Sequence, residues 1–462
     1  MTTEKTYSTR VGDLTFTHDF APGYPTDETI TTLFDEIDFQ RACQAYIWAI
    51  PMVSAAQWQY AQKDSFGATN GQIVFVESYD DKIGGLTYNV TTPYAIPFID
   101  VTDEPWVVDM PEGDVRGAAS DMWQIGMAQM TKAGKYLFVG PGQKVPADAE
   151  SDGYTVLQTT TNNFLLGIRL LSTDRDQRMA LLKKVAIYPY SERSAPKPRG
   201  YITPDGRTMS AAQPRGMAFW ERLADIINRE PVAERDRFFT AMLQPLGIEK
   251  GKPFNPTDDQ KKILTDAVFV GEAMAKAIDF KKSPRLQGAH YVDGSGWDID
   301  TTSPPDQRHE HSEALDGRAS WFYEAVTNDI AMHGMETGKG QVYLTAYKDK
   351  DGEWLDGSLN YTLNVPADAP AETFWSLTLY EVDGRDIIHN KQKRADRSSR
   401  YDLDTNADGS VDLYFGPDEP TGKHENWIPT EPGRAFFAMM RFYSPKKSLI
   451  DRTWVLPDLE KA

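Results

Sequence analysis

Arg441 has the setting that most asks for a chemical explanation. It interrupts Phe437, Met439 and Tyr443 along one face of an otherwise apolar strand. A charge among apolar neighbours must be paired or face a cavity, because an isolated ion removed from water is costly. With an internal carboxylate it is structural. Without one, its planar fork suits a carboxylate or phosphate held through two N–H donors. Lys391, Lys393, Arg394, Arg397 and Arg400 form the one positive cluster on the chain. It offers the same chemistry, or simply a solvated loop.

Two further constellations have metal-like spacing. His309 and His311 flank Glu310, and on a strand they would share a face. Their setting is a polar loop and no third ligand is indicated, so a solvated loop is the expectation. Asp404, Asn406, Asp408 and Gly409 open like a calcium loop, D-x-N-x-D-G. The closing position that needs a bidentate Glu is Phe415, and the flanks read as strands. A hairpin turn is expected, with weak calcium binding the alternative. A tightly bound transition metal is not expected. Nucleophile-elbow, phosphate-loop, zinc-helix and dinucleotide fingerprints are all missing. A mechanism built from scattered carboxylates or hydroxyls stays open.

The elements that must position such residues follow from pattern. The 462 residues suggest two or three domains, and 40% hydrophobic residues suffice for sizeable cores. No stretch approaches the roughly 20 apolar residues of a membrane span. The net charge of −19 repels nucleic acid and anionic lipid, yet leaves room for a local basic pocket. Cys43, the single cysteine, excludes disulfides within the chain and sits in an apolar helical pattern as a buried thiol. The stretch Met1 to Arg10 is polar and lacks the core of a signal peptide. The expected location is cytoplasmic, or periplasmic as a mature form whose leader has been replaced.

Thr26 caps a helix carrying Ile30, Leu33, Phe34 and Ile37, and a second carries Ala42 to Ile50 and ends at Pro51. Both should cover a sheet. Strands are expected at 72–79, 136–139, 163–171 and 183–190, then helices around Phe219 to Ile227, Phe238 to Leu246 and after the Thr257/Gln260 capping box. A long loop spans 285–311, and a last helix follows near Leu315. Strands return at 341–347, 359–365, 373–381, 411–415 and 434–443, the last apolar on both faces like an interior strand. The predicted architecture is multidomain α and β. A β-rich N-terminal module with two leading helices spans 1–200, a helical segment and long loop 201–339, and an antiparallel β-sandwich 340–462.

Two sets of residues resemble a paired bacterial family, the domains of unknown function numbered 1254 and 1214. The first runs from Ala45-Tyr46-Ile47-Trp48-Ala49-Ile50-Pro51 through Asn89, Thr92, Tyr94, Asp121 and Trp123 to Tyr136-Leu137-Phe138-Val139-Gly140-Pro141-Gly142. The second comprises Phe374-Trp375-Ser376-Leu377-Thr378-Leu379-Tyr380, Asn390, Asp408-Gly409-Ser410, Asn426-Trp427-Ile428-Pro429 and Arg441-Phe442-Tyr443-Ser444-Pro445. The resemblance implies a multidomain α and β fold ending in a β-sandwich, and it implies export for many members. Phosphate-ester hydrolysis is carried as one implied activity. The family's N-x-D-T-x-Y stretch has Thr91 here in place of the Asp, and its N-W-L-P has Ile428.

Two functions remain open. One is a hydrolase for a small anionic ester in a pocket at the module junction. Asp121 would be base or metal ligand, Asn89 and Tyr94 hydrogen-bond donors, and Trp123 and Trp427 walls. Asn390 and Arg441 would hold the anion and stabilise developing charge. The other is a non-catalytic protein that binds a small molecule or carbohydrate, using Trp123, Trp321, Trp375 and Trp427 as stacking surfaces. A small-molecule ligand and a homo-oligomer are the expected partners, with no nucleic acid and no membrane span.

Overall fold

The structure, a computed structural model, describes residues 4–333 and 336–462, so Met1–Thr3 of the polar N-terminal stretch lie outside the described residues. The chain divides into two compact units, 1–49 with 214–275, and 50–213 with 276–462.

In the first unit the hairpin Lys5–Thr9 and Gly12–Phe16 precedes helical elements. The helix Asp27–Phe66 runs on through Pro51, where a break is expected from sequence. Proline removes one helical hydrogen bond, but every residue from Ala45 to Ala56 is buried, and that burial outweighs the missing bond. The helices Met217–Arg229 and Arg237–Leu243 pack through aromatic contacts, and Trp220 Nε1 donates at 2.8 Å to the Leu264 carbonyl at the start of Asp258–Phe280. Tyr46 stacks on Phe219 at 4.1 Å and Trp48 on Phe239 at 5.3 Å. Thr257 and Gln260 form the expected capping box. Cys43 is buried, and burial pushes its thiol up to about 11, away from nucleophilic chemistry.

Among its described residues the second unit holds four sheets. One runs in the order Tyr201–Ile202, Ile73–Val76, Tyr94–Ile96, Asn163–Leu170, Val115–Asp121, Gly126–Met130, with Phe98–Asp100 also paired to Asn163–Leu170. Behind it lie Tyr154–Gln158, Gly134–Val139, Trp106–Met110 and Ala186–Pro189. Ile73, Phe75, Val108, Phe138, Phe164 and Leu166 share the core between them, with Phe138 stacked on Phe164 at 4.5 Å. The part of the long helix from residue 50 onward packs Trp58 edge-on to Phe98.

The C-terminal antiparallel sheet has the order Asp298–Ile299, Gln341–Ala346, Phe436–Pro445, Ala371–Glu381, Asp396–Ser398. Phe436–Pro445 is its central strand, which accounts for apolar residues on both faces. A second sheet, Trp427–Pro429, Val411–Gly416, Tyr361–Val365 and Glu460–Lys461, packs against it through Tyr361 on Phe436, and its one parallel pair is Val411–Gly416 with Trp427–Pro429. The fold is mixed α and β, rich in strands, and ends in this sandwich. Among the described residues no helix is long and apolar enough to cross a membrane.

Candidate functional site

The segment from Tyr79 to Tyr94 carries the most unusual local chemistry. Ser78 caps the short helix Tyr79–Lys82 reciprocally with Asp81. Lys82, at its end, is fully buried and donates to the Val90 carbonyl at 2.7 Å and the Thr92 carbonyl at 2.9 Å. One ammonium thus draws the 90–92 loop back over the helix. Burial lowers Lys82 to about 8. Gly85 makes room for Tyr88, since an added Cβ would lie 2.3 Å from that ring. The segment is also pinned to the C-terminal sheet. Thr87 N donates to the Arg385 carbonyl at 2.8 Å, and the Tyr380 hydroxyl donates to the Tyr88 carbonyl at 2.8 Å.

At the head of this segment three strands converge. Asn89 links two phenols: its backbone N–H donates to the Tyr94 hydroxyl at 2.9 Å, and its Nδ2 donates to the Tyr443 hydroxyl. The Arg169 guanidinium lies 4.5 Å from the Tyr94 ring centre and donates to Thr92 Oγ1 at 3.1 Å. Arg441 donates to the Thr87 carbonyl at 2.8 Å and to Thr378 Oγ1 at 3.4 Å, flanked by the Tyr343 and Tyr380 rings at 5.6 and 5.4 Å. Among the described residues neither arginine pairs with a carboxylate; their partners are hydroxyls, carbonyls and aromatic rings. Lys82 is the third cation beside Tyr94, and the carboxylates of Asp396 and Asp81 act on Lys82.

The two phenols respond oppositely. Burial alone would push Tyr94 up, but Arg169, then Arg441 and Lys82, and the Asn89 amide more than offset it, leaving the hydroxyl below the ordinary tyrosine value. Burial and the neighbouring Tyr94 raise Tyr443. Tyr94, Arg169 and Tyr443 are half-buried and keep accessible surface. Arg441, at 3% exposure, does not.

The structure brings Asn89, Tyr94 and Arg441 together and sets the other candidates elsewhere. Asp121 accepts from the Trp123 and Ile125 amides at 2.9 and 3.0 Å and from Thr160 Oγ1 at 2.7 Å, which is the bonding of a turn staple. It lies opposite Phe164, five residues from Arg169 along the same strand, or roughly 16 Å at the usual strand rise. Trp123 lies against the buried Arg318 at 5.3 Å. Asn390 donates to the carbonyls of Arg394 and Pro429, and Trp427 donates to that of Gly416, so both knit loops to strands. Trp123, Trp321, Trp375 and Trp427 are all buried and present no open aromatic groove.

The other sequence motifs also resolve. His309 and His311 sit exposed in a loop closed by the Arg308–Glu313 pair. Asn406, Asp408 and Ser410 satisfy one another in a turn. The basic cluster disperses: Lys393 pairs with Asp80, Arg394 and Arg397 donate to loop carbonyls, and Arg400 stacks on Phe374 at 3.7 Å. Among the described residues no group of three or more His, Cys, Asp or Glu is placed to hold a metal. Thr91, where the resembling family has Asp, donates to Asp396 at 3.1 Å. A carboxylate there would face a carboxylate, so threonine suits this chain.

Arg169 and Lys82 were not singled out from sequence. Arg169 carries the same signal as Arg441, a lone charge in a strand of Phe164, Leu165, Leu166, Ile168 and Leu170. Lys82 lies in a polar run, Asp80-Asp81-Lys82, that gives no hint of its burial.

Residues 75–189 match the family described as Protein of unknown function (DUF1254), and residues 340–447 match Protein of unknown function (DUF1214). The chain thus carries these two regions in that order, and the tyrosine–arginine cluster draws Tyr94 and Arg169 from the first and Tyr343, Arg441 and Tyr443 from the second. No curated protein matches. The crystal structure of the VPA0106 protein from Vibrio parahaemolyticus is similar at 20% identity and a TM-score of 0.55, over 92% of this chain and all of that one, which shows a shared fold. An uncharacterised protein from Burkholderia cenocepacia is similar at 10% identity with a TM-score of 0.40, covering 94% of this chain and 96% of that one.

Proposed function

We propose that this chain binds a small organic anion at the cluster of Asn89, Tyr94, Arg169 and Tyr443. One observation carries the reading: two guanidiniums, the half-buried Arg169 and the buried Arg441, converge on this cluster, and among the described residues no carboxylate pairs with either. A buried cation that lacks an opposite charge is costly, and a bound anion is the partner such a site is built to accept. Arg169 keeps accessible surface and is the guanidinium that meets the ligand. Arg441 is a positioning residue, holding through the Thr87 carbonyl the loop that carries Asn89. Each phenol accepts one hydrogen bond from Asn89 and retains its own proton for a ligand oxygen. The Tyr94 ring is flanked by Tyr88 and Arg169, and that of Tyr443 by Phe374. The ligand therefore meets hydroxyl groups, not ring faces, which favours a compact oxyanion head.

A second reading, hydrolysis of a small anionic ester, is favoured by the opposite shifts of the two phenols, since paired groups pushed apart in acidity suit base and acid roles. Tyr94 as phenolate would take a proton from water as the water oxygen bonds to the ester centre. The ester's bond to its alcohol oxygen breaks, and Tyr443 gives that oxygen its proton. Titration calorimetry against sulfate, phosphate, acetate and citrate tests the binding reading, with Arg169→Met as control. At least one anion should give saturable heat that the variant loses. Chromogenic phosphate, sulfate and carboxylate esters test the second reading, and turnover abolished in Tyr94→Phe is its required result. Heat unchanged by Arg169→Met would remove the site.

A further inference from the structure

Three cations surround Tyr94, and among the described residues two of them, Arg169 and Arg441, have no carboxylate partner, which poses a question about the empty site. Something must offset them before a ligand arrives, because like charges close together in a poorly solvated interior repel strongly. The groups around the Tyr94 side chain come from every surrounding element. They are Lys82 from the short helix, Asn89 and Tyr88 from its following loop, and Arg169 from the Asn163–Leu170 strand. Arg441 and Tyr443 come from the central strand of the C-terminal sheet, Tyr343 and Tyr380 from its two neighbours. The Asp396 carboxylate acts on Lys82, and is itself occupied by Thr91 and Tyr401.

Resting on the anion-binding reading above, we infer that Tyr94 is the site's own counter-ion: as a phenolate it balances the cations when the site is empty, and it takes up one proton when an anion binds. The geometry supplies each part. Asn89 aims a backbone N–H at the Tyr94 oxygen, a contact that strengthens when that oxygen is charged. Arg169 lies over the ring at 4.5 Å, and no carboxylate among the described residues competes for it. A ligand oxygen placed between Arg169 and the two hydroxyls would meet the phenolate as a second anion. Protonation relieves that repulsion and turns Tyr94 from acceptor into donor. The step balances: the phenolate oxygen bonds one proton drawn from solvent, no other bond changes, and the new O–H points to the ligand. Tyr443, whose proton is held more firmly, stays a donor throughout. Anion affinity therefore falls as pH rises through the Tyr94 ionisation, by up to tenfold per pH unit.

The test uses sulfate, whose own protonation does not change between about pH 6 and 10. First, absorbance near 295 nm is followed against pH without ligand. One tyrosinate should form below the ordinary value of about 10, ahead of the rest, and it should be missing in Tyr94→Phe. Second, sulfate should shift that ionisation to higher pH. Calorimetry in buffers of differing ionisation enthalpy, above that midpoint, should report close to one proton taken up per sulfate, and none for Tyr94→Phe. An early tyrosinate absent from the ligand-free protein overturns the counter-ion. Sulfate that binds without proton uptake overturns the coupling and leaves the site standing. An early tyrosinate with no sulfate heat removes the anion site itself, and the coupling with it. Unchanged circular dichroism and melting temperature in Tyr94→Phe confirm that the variant is folded.

Discussion

Arg169→Met and Arg441→Met should fail in different ways, although both remove a guanidinium from the same cluster. Arg169 donates to Thr92 Oγ1 and lies over Tyr94. Losing these costs about 1 kcal/mol each, while relief of repulsion toward Lys82 and Arg441 works the other way, so net stability should move by no more than about 1 kcal/mol. Binding should suffer far more. A hydrogen bond from a charged donor to an anion is worth about 1.5–3 kcal/mol, or roughly 10- to 150-fold in affinity. Arg169→Lys keeps the charge without the fork and should fall between. Arg441→Met removes a buried donor from the Thr87 carbonyl and a cation from between Tyr343 and Tyr380. It should lower stability by roughly 1.5–3 kcal/mol and weaken binding only through the displaced Asn89 loop. Urea denaturation and sulfate calorimetry on all three variants give both quantities. A folded Arg169→Met protein with sulfate affinity within twofold of the parent would refute the reasoning. So would an Arg441→Met protein of unchanged stability that has lost binding outright.

Lys282 is fully buried among Asp300 at 2.5 Å, Tyr347 at 3.0 Å, Asp279 at 3.2 Å and Glu324 at 3.8 Å. Lys282→Met strands three carboxylates and should cost roughly 3–5 kcal/mol in urea denaturation; adding Asp300→Asn should recover part of it. The pH dependence of stability has a worked sign. Burial raises Tyr88, Tyr343 and Tyr347 well above their unfolded value, so their contribution is complete below about pH 10 and is lost as pH rises through the folded values. Melting temperature followed across that range should drop steeply on the alkaline side, and a flat profile up to pH 12 would contradict this burial.

Much of the fold was legible because it rests on local pattern. The strand Phe436–Pro445 is apolar on both faces and is central in its sheet, and the Thr257/Gln260 cap opens its helix. Pro51 misled because tertiary burial, invisible to local propensity, holds the helix together across it. The candidate site was half legible. Arg441 announced itself as a charge in an apolar strand, and Arg169 sends the same signal from Asn163–Leu170. What no periodicity conveys is which distant strands meet. Asn89 reaches Tyr443 across 354 positions of chain, and Lys82 is buried by loop carbonyls that carry no side-chain signature. Asn390 and Trp427 looked equally functional because a polar or aromatic residue that ties loops together has the same composition as one that binds a ligand.

The proposed seat of a small oxyanion lies between Arg169, Tyr94 and Tyr443. Selenate, a compact anion with an anomalously scattering atom, locates it directly. An anomalous difference map from a crystal soaked in sodium selenate should show a peak within hydrogen-bond reach of both phenolic oxygens and the Arg169 guanidinium, absent from an Arg169→Met crystal treated alike. A map with its peaks confined to the exposed basic side chains Lys391, Lys393 and Arg400, and none at the cluster, would contradict it.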